Sequence, residues 1–261
     1  MRIKMHGFYE HFGNHKPIDG EPYINCFNDN FCVQTSVPAN SIALLIEPRS
    51  IDKRGYEWIE NHPNQYKYVF THDSILLKKL PNSKPILYCN VWGWSDEPKT
   101  KFCSMISSDK EMCELHKIRK NLANELKDKI DCMGTFDGGR KVDTYEAHAP
   151  YMFSIVMENY IDEIWFTEKI CNCFANKTIP VYYGATKIDD YFNKKGIFHV
   201  ESIENIEEFV GIMTSNPELA RTYYENVKDA IEDNYKRVDK YRNFERWFFE
   251  TYDDLLNELG A

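Results

Sequence analysis

The residues best suited to chemistry crowd the two ends of one stretch, MENYIDEIWFTEKICNCFANKTIPVYYG at 157–184. An apolar run, SIVM, stops at Glu158 and Asn159; after a short loop, Thr167, Glu168 and Lys169 open a helical pattern ahead of a second apolar run. Thr167 is a good helix N-cap, and Glu168 suits the positive end of a helix dipole. Lys169 does not, because a cation in the first turn opposes that dipole. It becomes sensible if lysine and helix end together serve an anion such as a phosphate. The plainer reading is a capped helix with a solvated lysine, and the loop alone leaves both open.

A second cation adds weight to the anion reading. In SSDKEMCELHKIRKNLANELKDK, Ser108 and Glu111 have capping-box spacing, which predicts a helix over about 109–128. Met112, Leu115, Ile118, Leu122 and Leu126 form its apolar stripe, and at about 100° per residue Arg119 falls inside that stripe. A guanidinium facing inward needs a counter-charge. It is either a snorkelling side chain or internal salt bridge, or a planar fork held ready for paired phosphate oxygens.

The elements that must position these groups alternate. SIALLIE (41–47), KYVFTHD (67–73) and PILYCN (85–90) read as strands, with helical patterns RGYEWIENH and SILLKKL between them. A polar linker, WGWSDEPKTK (92–101), precedes a second series: strand KFCSMIS, the arginine-bearing helix, strands DCMGTF and YMFSIVME, the Thr-Glu-Lys helix, strands TIPVYYG and IFHV, and helices to the end. Such alternation predicts parallel α/β sheets. The expected organisation is an N-terminal α/β domain over 1–95, a second over 96–235, a cleft between them, and a last helix over 236–261 placed to cross back. Ligands of open parallel sheets bind beyond the carboxyl ends of strands, where Glu158 and Asn159 lie.

Composition limits the alternatives. The 261 residues carry a net charge of −9, which argues against a nucleic-acid binder. No apolar stretch approaches the roughly 20 residues of a membrane span, and MRIKMHGFYEHFG lacks a signal-peptide core. The chain therefore reads as soluble and cytoplasmic. Eight cysteines without paired spacing read as reduced, mostly buried thiols. His6, His11 and His15 lack a partner motif for a metal. Neither a Walker loop nor G-x-G-x-x-G is present.

With these residues in view, YMFSIVMEN, then TEK, then ANKTIPVYYG, resembles the C-terminal signature of the alpha-1,3-fucosyltransferase family, with a weaker likeness to exostosin-like transferases. The chain departs from that signature at Met157 and Tyr160. The resemblance implies a GT-B-like α/β fold of two Rossmann-like domains and an inverting glycosyltransferase, moving a sugar, foremost fucose from GDP-fucose, to a glycan hydroxyl. It implies that Asn159, Glu168 and Lys169 bind the donor, with Glu168 at the ribose or sugar and Lys169 at the phosphates, and that Arg119 lies on the phosphate-contacting helix. Glu158 and Thr167 complete the expected donor-binding set.

An inverting transfer needs a carboxylate within reach of the acceptor hydroxyl. The resemblance points to the first domain, where Glu47, closing SIALLIE, and Asp73, closing KYVFTHD, are the candidates. No D-x-D closes a strand, and Asp189-Asp190 and Asp253-Asp254 read as solvated pairs. With Arg119 and Lys169 to neutralise a diphosphate, no metal is required. The expected partners are a nucleotide-sugar and an oligosaccharide acceptor. A UDP-sugar enzyme, or a nonenzymatic module that binds nucleotide-sugars or glycans, would share the same phosphate machinery.

Overall fold

Two all-parallel sheets order the chain, and a computed structural model describes residues 1–260 of it. One unit comprises Met1–Tyr88 with the segment from Asn243 onward; the other is Cys89–Arg242.

In the first unit, β1 (Arg2–His6), β2 (Tyr23–Asn28), β3 (Ser41–Leu45), β4 (Tyr68–Thr71) and β5 (Ser83–Pro85) lie side by side in chain order. Every residue of β3 is buried, as expected of a parallel strand covered on both faces. The first two strands are not apparent in the sequence. β1 is an edge strand with mixed exposure, and β2 carries Asn25 and Asn28 into the interior. The strand expected at 85–90 is displaced to 83–85: Pro85 has no N–H to donate, and after the bond from Ile86 N to Thr71 O the ladder stops. Helices α1 (Lys53–Asn61) and α2 (Ser74–Lys79) are capped by Asp52 and Asp73, whose side chains accept from Gly55 N and Leu76 N. The terminal helix, Phe244–Gly260, packs here through Phe248, whose ring lies 5.0 Å from Phe12 and 4.8 Å from Phe70. Its buried Glu245 accepts from Asn14 N, Asn14 Nδ2 and His15 Nδ1 at 2.7–2.8 Å.

The second unit holds β6 (Lys101–Ile106), α3 (Glu114–Leu126), β7 (Asp131–Met133), α4 (Thr144–His148), β8 (Tyr151–Met157), α5 (Glu168–Ala175), β9 (Ile179–Tyr183) and β10 (Phe198–His199). Helices α6 (Ile203–Ser215), α7 (Pro217–Asn226) and α8 (Lys228–Arg237) follow. The sheet order is β10-β9-β8-β6-β7. Phe153, Ile155, Val181, Leu122 and Phe209 belong to its core. Helix α3 starts five residues later than its capping-box signal suggests. Ser108 Oγ accepts instead from Lys110 N, Glu111 pairs with Lys120 at 2.6 Å, and Met112 is left exposed ahead of the helix. Helix α5 ends in a paired reversal, with Lys177 N donating to Phe174 O and Thr178 N to Cys173 O. Lys177 takes the left-handed conformation (φ 53°) that such an ending requires.

All eight cysteines are unpaired. Among the described residues no helix is long and apolar enough to cross a membrane.

Lys99 ties the second unit together where the ends of α4 and α5 meet. Its ammonium donates to His148 O, Ala149 O, Asn176 O and Thr178 Oγ1. Lys99→Met is expected to cost about 1–3 kcal/mol for each oxygen left without a donor, measured by urea unfolding. Burial also lowers the Lys99 pKa from 10.5 to about 8. Between those values the unfolded chain holds the proton that the folded chain has shed. The stability of the wild type relative to Lys99→Met should therefore rise from pH 8 to pH 10.5.

Candidate functional site

From β6 the chain passes through α3 to β7 on one flank, then re-enters as β8 on the other flank of β6. The connections leaving the carboxyl ends of β6 and β8 therefore diverge and open a crevice, the place where parallel α/β sheets bind ligands. The first unit has no such reversal, since its strands follow chain order. A cavity of about 210 Å³ occupies the crevice. Ser108 beyond β6, Met157 on β8, Arg119 on α3, Glu168, Lys169 and Asn172 on α5, and Trp92 are among the residues lining it.

The loop between β8 and α5 is built around one carboxylate. Glu158 is wholly buried and accepts from Thr167 N (3.0 Å), Thr167 Oγ1 (2.9 Å) and Lys169 Nζ (3.0 Å). Lys169 Nζ also donates to Thr167 Oγ1 at 2.9 Å, and Thr167 Oγ1 accepts from Lys169 N as the cap of α5. Gly184 explains the end of the motif. A Cβ there would stand 2.3 Å from the Tyr182 hydroxyl oxygen and 2.8 Å from Glu158 Cγ. That hydroxyl accepts from Ala185 N, so the tyrosine cannot easily give way. Glu158 and Thr167 are thus the framework behind the cavity rather than its wall.

Lys169, with about a quarter of its side chain exposed, is the part of this network that reaches the cavity. Burial works to lower its pKa, but Glu158 and Glu168 prevail and hold it above the ordinary lysine value. It is charged at neutral pH. Arg119 is 8% exposed and gives Nη1 to Met157 O (3.1 Å) and Asn159 Oδ1 (3.0 Å), while its buried Nε has no acceptor. Burial lowers its pKa and Glu158 opposes that shift; a guanidinium remains charged regardless. One turn back, burial and the charge of Arg119 push His116 down to about 4, so this buried imidazole is neutral. A buried guanidinium nitrogen without an acceptor is unusual enough to require a reason, and an anion in the adjoining cavity supplies one.

The structure therefore brings Arg119, Glu168 and Lys169 to one cavity, with Asn159 joined to it through Arg119. Two contributors escaped the sequence reading. Trp92 was assigned to the linker, yet it is 67% exposed at the cavity wall and its N–H donates to Asn172 Oδ1 at 2.9 Å. Asn172 lies between Cys171 and Cys173, four residues after Glu168 and hence on the same helix face, which is the signal that reveals it. Among the described residues no three His, Cys, Asp or Glu side chains gather to hold a metal ion.

The first-unit carboxylates differ sharply. Glu47 is exposed just beyond β3. Asp73 is 0% exposed and accepts from Arg49 Nε (2.5 Å), Arg49 Nη2 (3.0 Å) and Leu76 N (2.7 Å). Those bonds occupy it as a helix cap and ion-pair partner, and leave it unsuited to taking a substrate proton.

Residues 96–247 match the family model for glycosyltransferase family 10 (fucosyltransferase), C-terminal part. An alpha-(1,3)-fucosyltransferase FucT from Helicobacter pylori is 25% identical over 157 residues, 55% of this chain and 31% of that protein. A putative fucosyltransferase-like protein from Arabidopsis thaliana is 30% identical over 114 residues, 40% of this chain and 22% of that protein. The chain thus spans less than a third of the length of either relative. A crystal structure of an alpha1,3-fucosyltransferase superposes with a TM-score of 0.52 at 13% identity, covering 89% of this chain and 78% of that one. The GT-B-like expectation of two Rossmann-like α/β units is borne out at the level of fold.

If Glu158 is the framework of the loop, Glu158→Ala should destabilise the protein by about 3–5 kcal/mol, the cost of breaking a buried ion pair by removing one partner. Asp73→Ala, which orphans Arg49 and uncaps α2, should do the same. Guanidinium unfolding of both variants checks the pair, and a loss below 1 kcal/mol in either would contradict its assignment (about the value of an exposed pair).

Proposed function

Because the chain belongs to glycosyltransferase family 10, the fucosyltransferases, we propose that it is an inverting glycosyltransferase that moves fucose from GDP-fucose to a hydroxyl of an oligosaccharide. The observation that carries this reading is the convergence of Arg119, with its unpartnered buried Nε, and the charged Lys169 on one cavity at the strand-order reversal. At about 210 Å³ the cavity is smaller than the roughly 300–1,000 Å³ of typical whole-ligand pockets, and suits the diphosphate with its attached sugar.

In the proposed reaction the acceptor oxygen attacks the anomeric carbon from the face opposite the phosphate. A new C–O bond forms, the bond from that carbon to the β-phosphate oxygen breaks, and GDP leaves with the electron pair. Glu47 takes the acceptor hydroxyl proton. Arg119 and Lys169 stabilise the charge that grows on the leaving diphosphate, by preorganised side-chain cations rather than by solvent. Glu168, 27% exposed at the cavity wall, accepts from hydroxyls of the ribose or the sugar. Asn159 holds the guanidinium at its angle through the 3.0 Å bond to Nη1. The names of both curated relatives favour fucose as the sugar.

Removing either cation deletes a charge-assisted contact. Arg119→Ala and Lys169→Ala should each weaken GDP binding by about 1.5–3 kcal/mol, read by calorimetric titration with GDP, with UDP as the comparison nucleotide. Unchanged GDP affinity in both variants would remove the site, and tighter binding of UDP than of GDP would redirect the donor.

A further inference from the structure

The chain leaving β3 is held at more points than a surface loop needs. Asp29, the residue after β2, accepts with Oδ1 from Ile46 N at 2.7 Å and from Glu47 N at 3.0 Å, and with Oδ2 from Asn28 Nδ2 at 3.1 Å. On the far side, the Tyr56 hydroxyl donates to Glu47 O at 2.8 Å. Two residues on, Arg49 lies 4.6 Å over the Tyr56 ring and is tied to Asp73 and Glu60. The backbone is thus fixed before, at and after Glu47, while the Glu47 side chain is exposed.

Holding this arrangement has a cost. Asp29 adopts φ 49°, a left-handed conformation uncommon outside glycine and typically retained where surrounding structure requires it. The packing behind it demands a glycine: a Cβ on Gly55 would stand 2.9 Å from Asp29 O and 2.6 Å from Asp52 Oδ2. A strained residue that aims its carboxylate at two backbone amides is hard to account for as mere loop closure. It fits the need to keep a reactive side chain in one place, since misplacement by about 1 Å can cost a hundredfold in rate.

We propose that Asp29 is a positioning residue for Glu47, fixing the peptide from which the Glu47 carboxylate reaches the acceptor hydroxyl. This rests on the reading of Glu47 as the proton acceptor. The rival role is that Asp29 is itself the base, because burial raises its carboxyl to about 7.

The full-length chain is assayed for GDP release from GDP-fucose, with lactose as the probe acceptor, in Glu47→Gln, Asp29→Ala, Asp29→Asn and the two double variants. Asparagine keeps a carbonyl oxygen for both amides; alanine does not. Loss of a base should lower the rate at least about a hundredfold in Glu47→Gln. Asp29→Ala should fall about 10- to 100-fold, whereas Asp29→Asn stays within about two- to threefold of wild type. Neither double variant should fall below Glu47→Gln alone, because Asp29 acts only through that side chain. GDP affinity should be unchanged throughout.

Losses that multiply in the double variants, with Glu47→Gln already inactive, would overturn the positioning role alone. An Asp29→Asn variant as slow as Glu47→Gln would assign the chemistry to Asp29, and decides the matter even if Asp29→Ala does not fold. Full transfer by Glu47→Gln would instead remove the base assignment on which the proposal stands.

Discussion

The donor side of this protein depends on a carboxylate that no ligand can touch. Glu158 sits at the end of a fully buried strand and is itself 0% exposed. An ionised carboxylate in such a place is costly unless it is both paired and hydrogen-bonded. Both conditions are met by residues that follow in the same loop: Thr167 supplies a backbone and a hydroxyl donor, and Lys169 supplies the charge. The requirement runs in both directions. Satisfying Glu158 fixes where α5 begins, and the start of α5 fixes which faces of Glu168, Lys169 and Asn172 meet the cavity.

This coupling explains why so much of the second unit could be read from one stretch of letters. A Glu-Asn at one end and a Thr-Glu-Lys at the other are partners in a single bonded cluster, with Gly184 making room for Glu158 and Tyr182 behind it. Arg119 was legible for a different reason. Its helical phase placed a cation inside an apolar stripe, and the structure leaves it 8% exposed. The start of α3 was not legible, because the Ser108–Glu111 spacing looks like a cap while both side chains bond elsewhere.

The first unit was harder to read. β1 at the sheet edge and β2 with its interior asparagines lack the continuous apolar run that reveals β3. Asp73 and Glu47 look alike in sequence, each a carboxylate just beyond an apolar strand. They are separated by a helix two residues too subtle to call in advance: SILLKK begins directly after Asp73 and draws its carboxylate inward as a cap, with Arg49 completing the pair. Glu47 is followed by Pro48, which cannot donate to a cap, and its side chain stays outside. Which strand-end carboxylate is exposed is thus decided by what the chain does next, through contacts distant in sequence.

The charge arrangement at the cavity also explains how an acidic chain, net −9, can receive an anionic ligand. Arg119 and Lys169 are balanced within the unliganded site by Glu158 and by Glu168, whose carboxylate lies 3.8 Å from Lys169 Nζ. Glu158 is committed to the fold, but Glu168 is only partly buried and its contact with the lysine is long for an ion pair. Under the transferase reading, a diphosphate takes the place of Glu168 beside the lysine, and the displaced carboxylate turns to the hydroxyls of the sugar or ribose. One exchange then serves both ends of the donor. The phosphates gain two cations already held in place, and the acidic side chain that balanced them recognises the neutral part of the same molecule. The buried lysine–glutamate pair keeps that exchange local, because the ammonium remains anchored to Glu158 at 3.0 Å whether or not Glu168 stays.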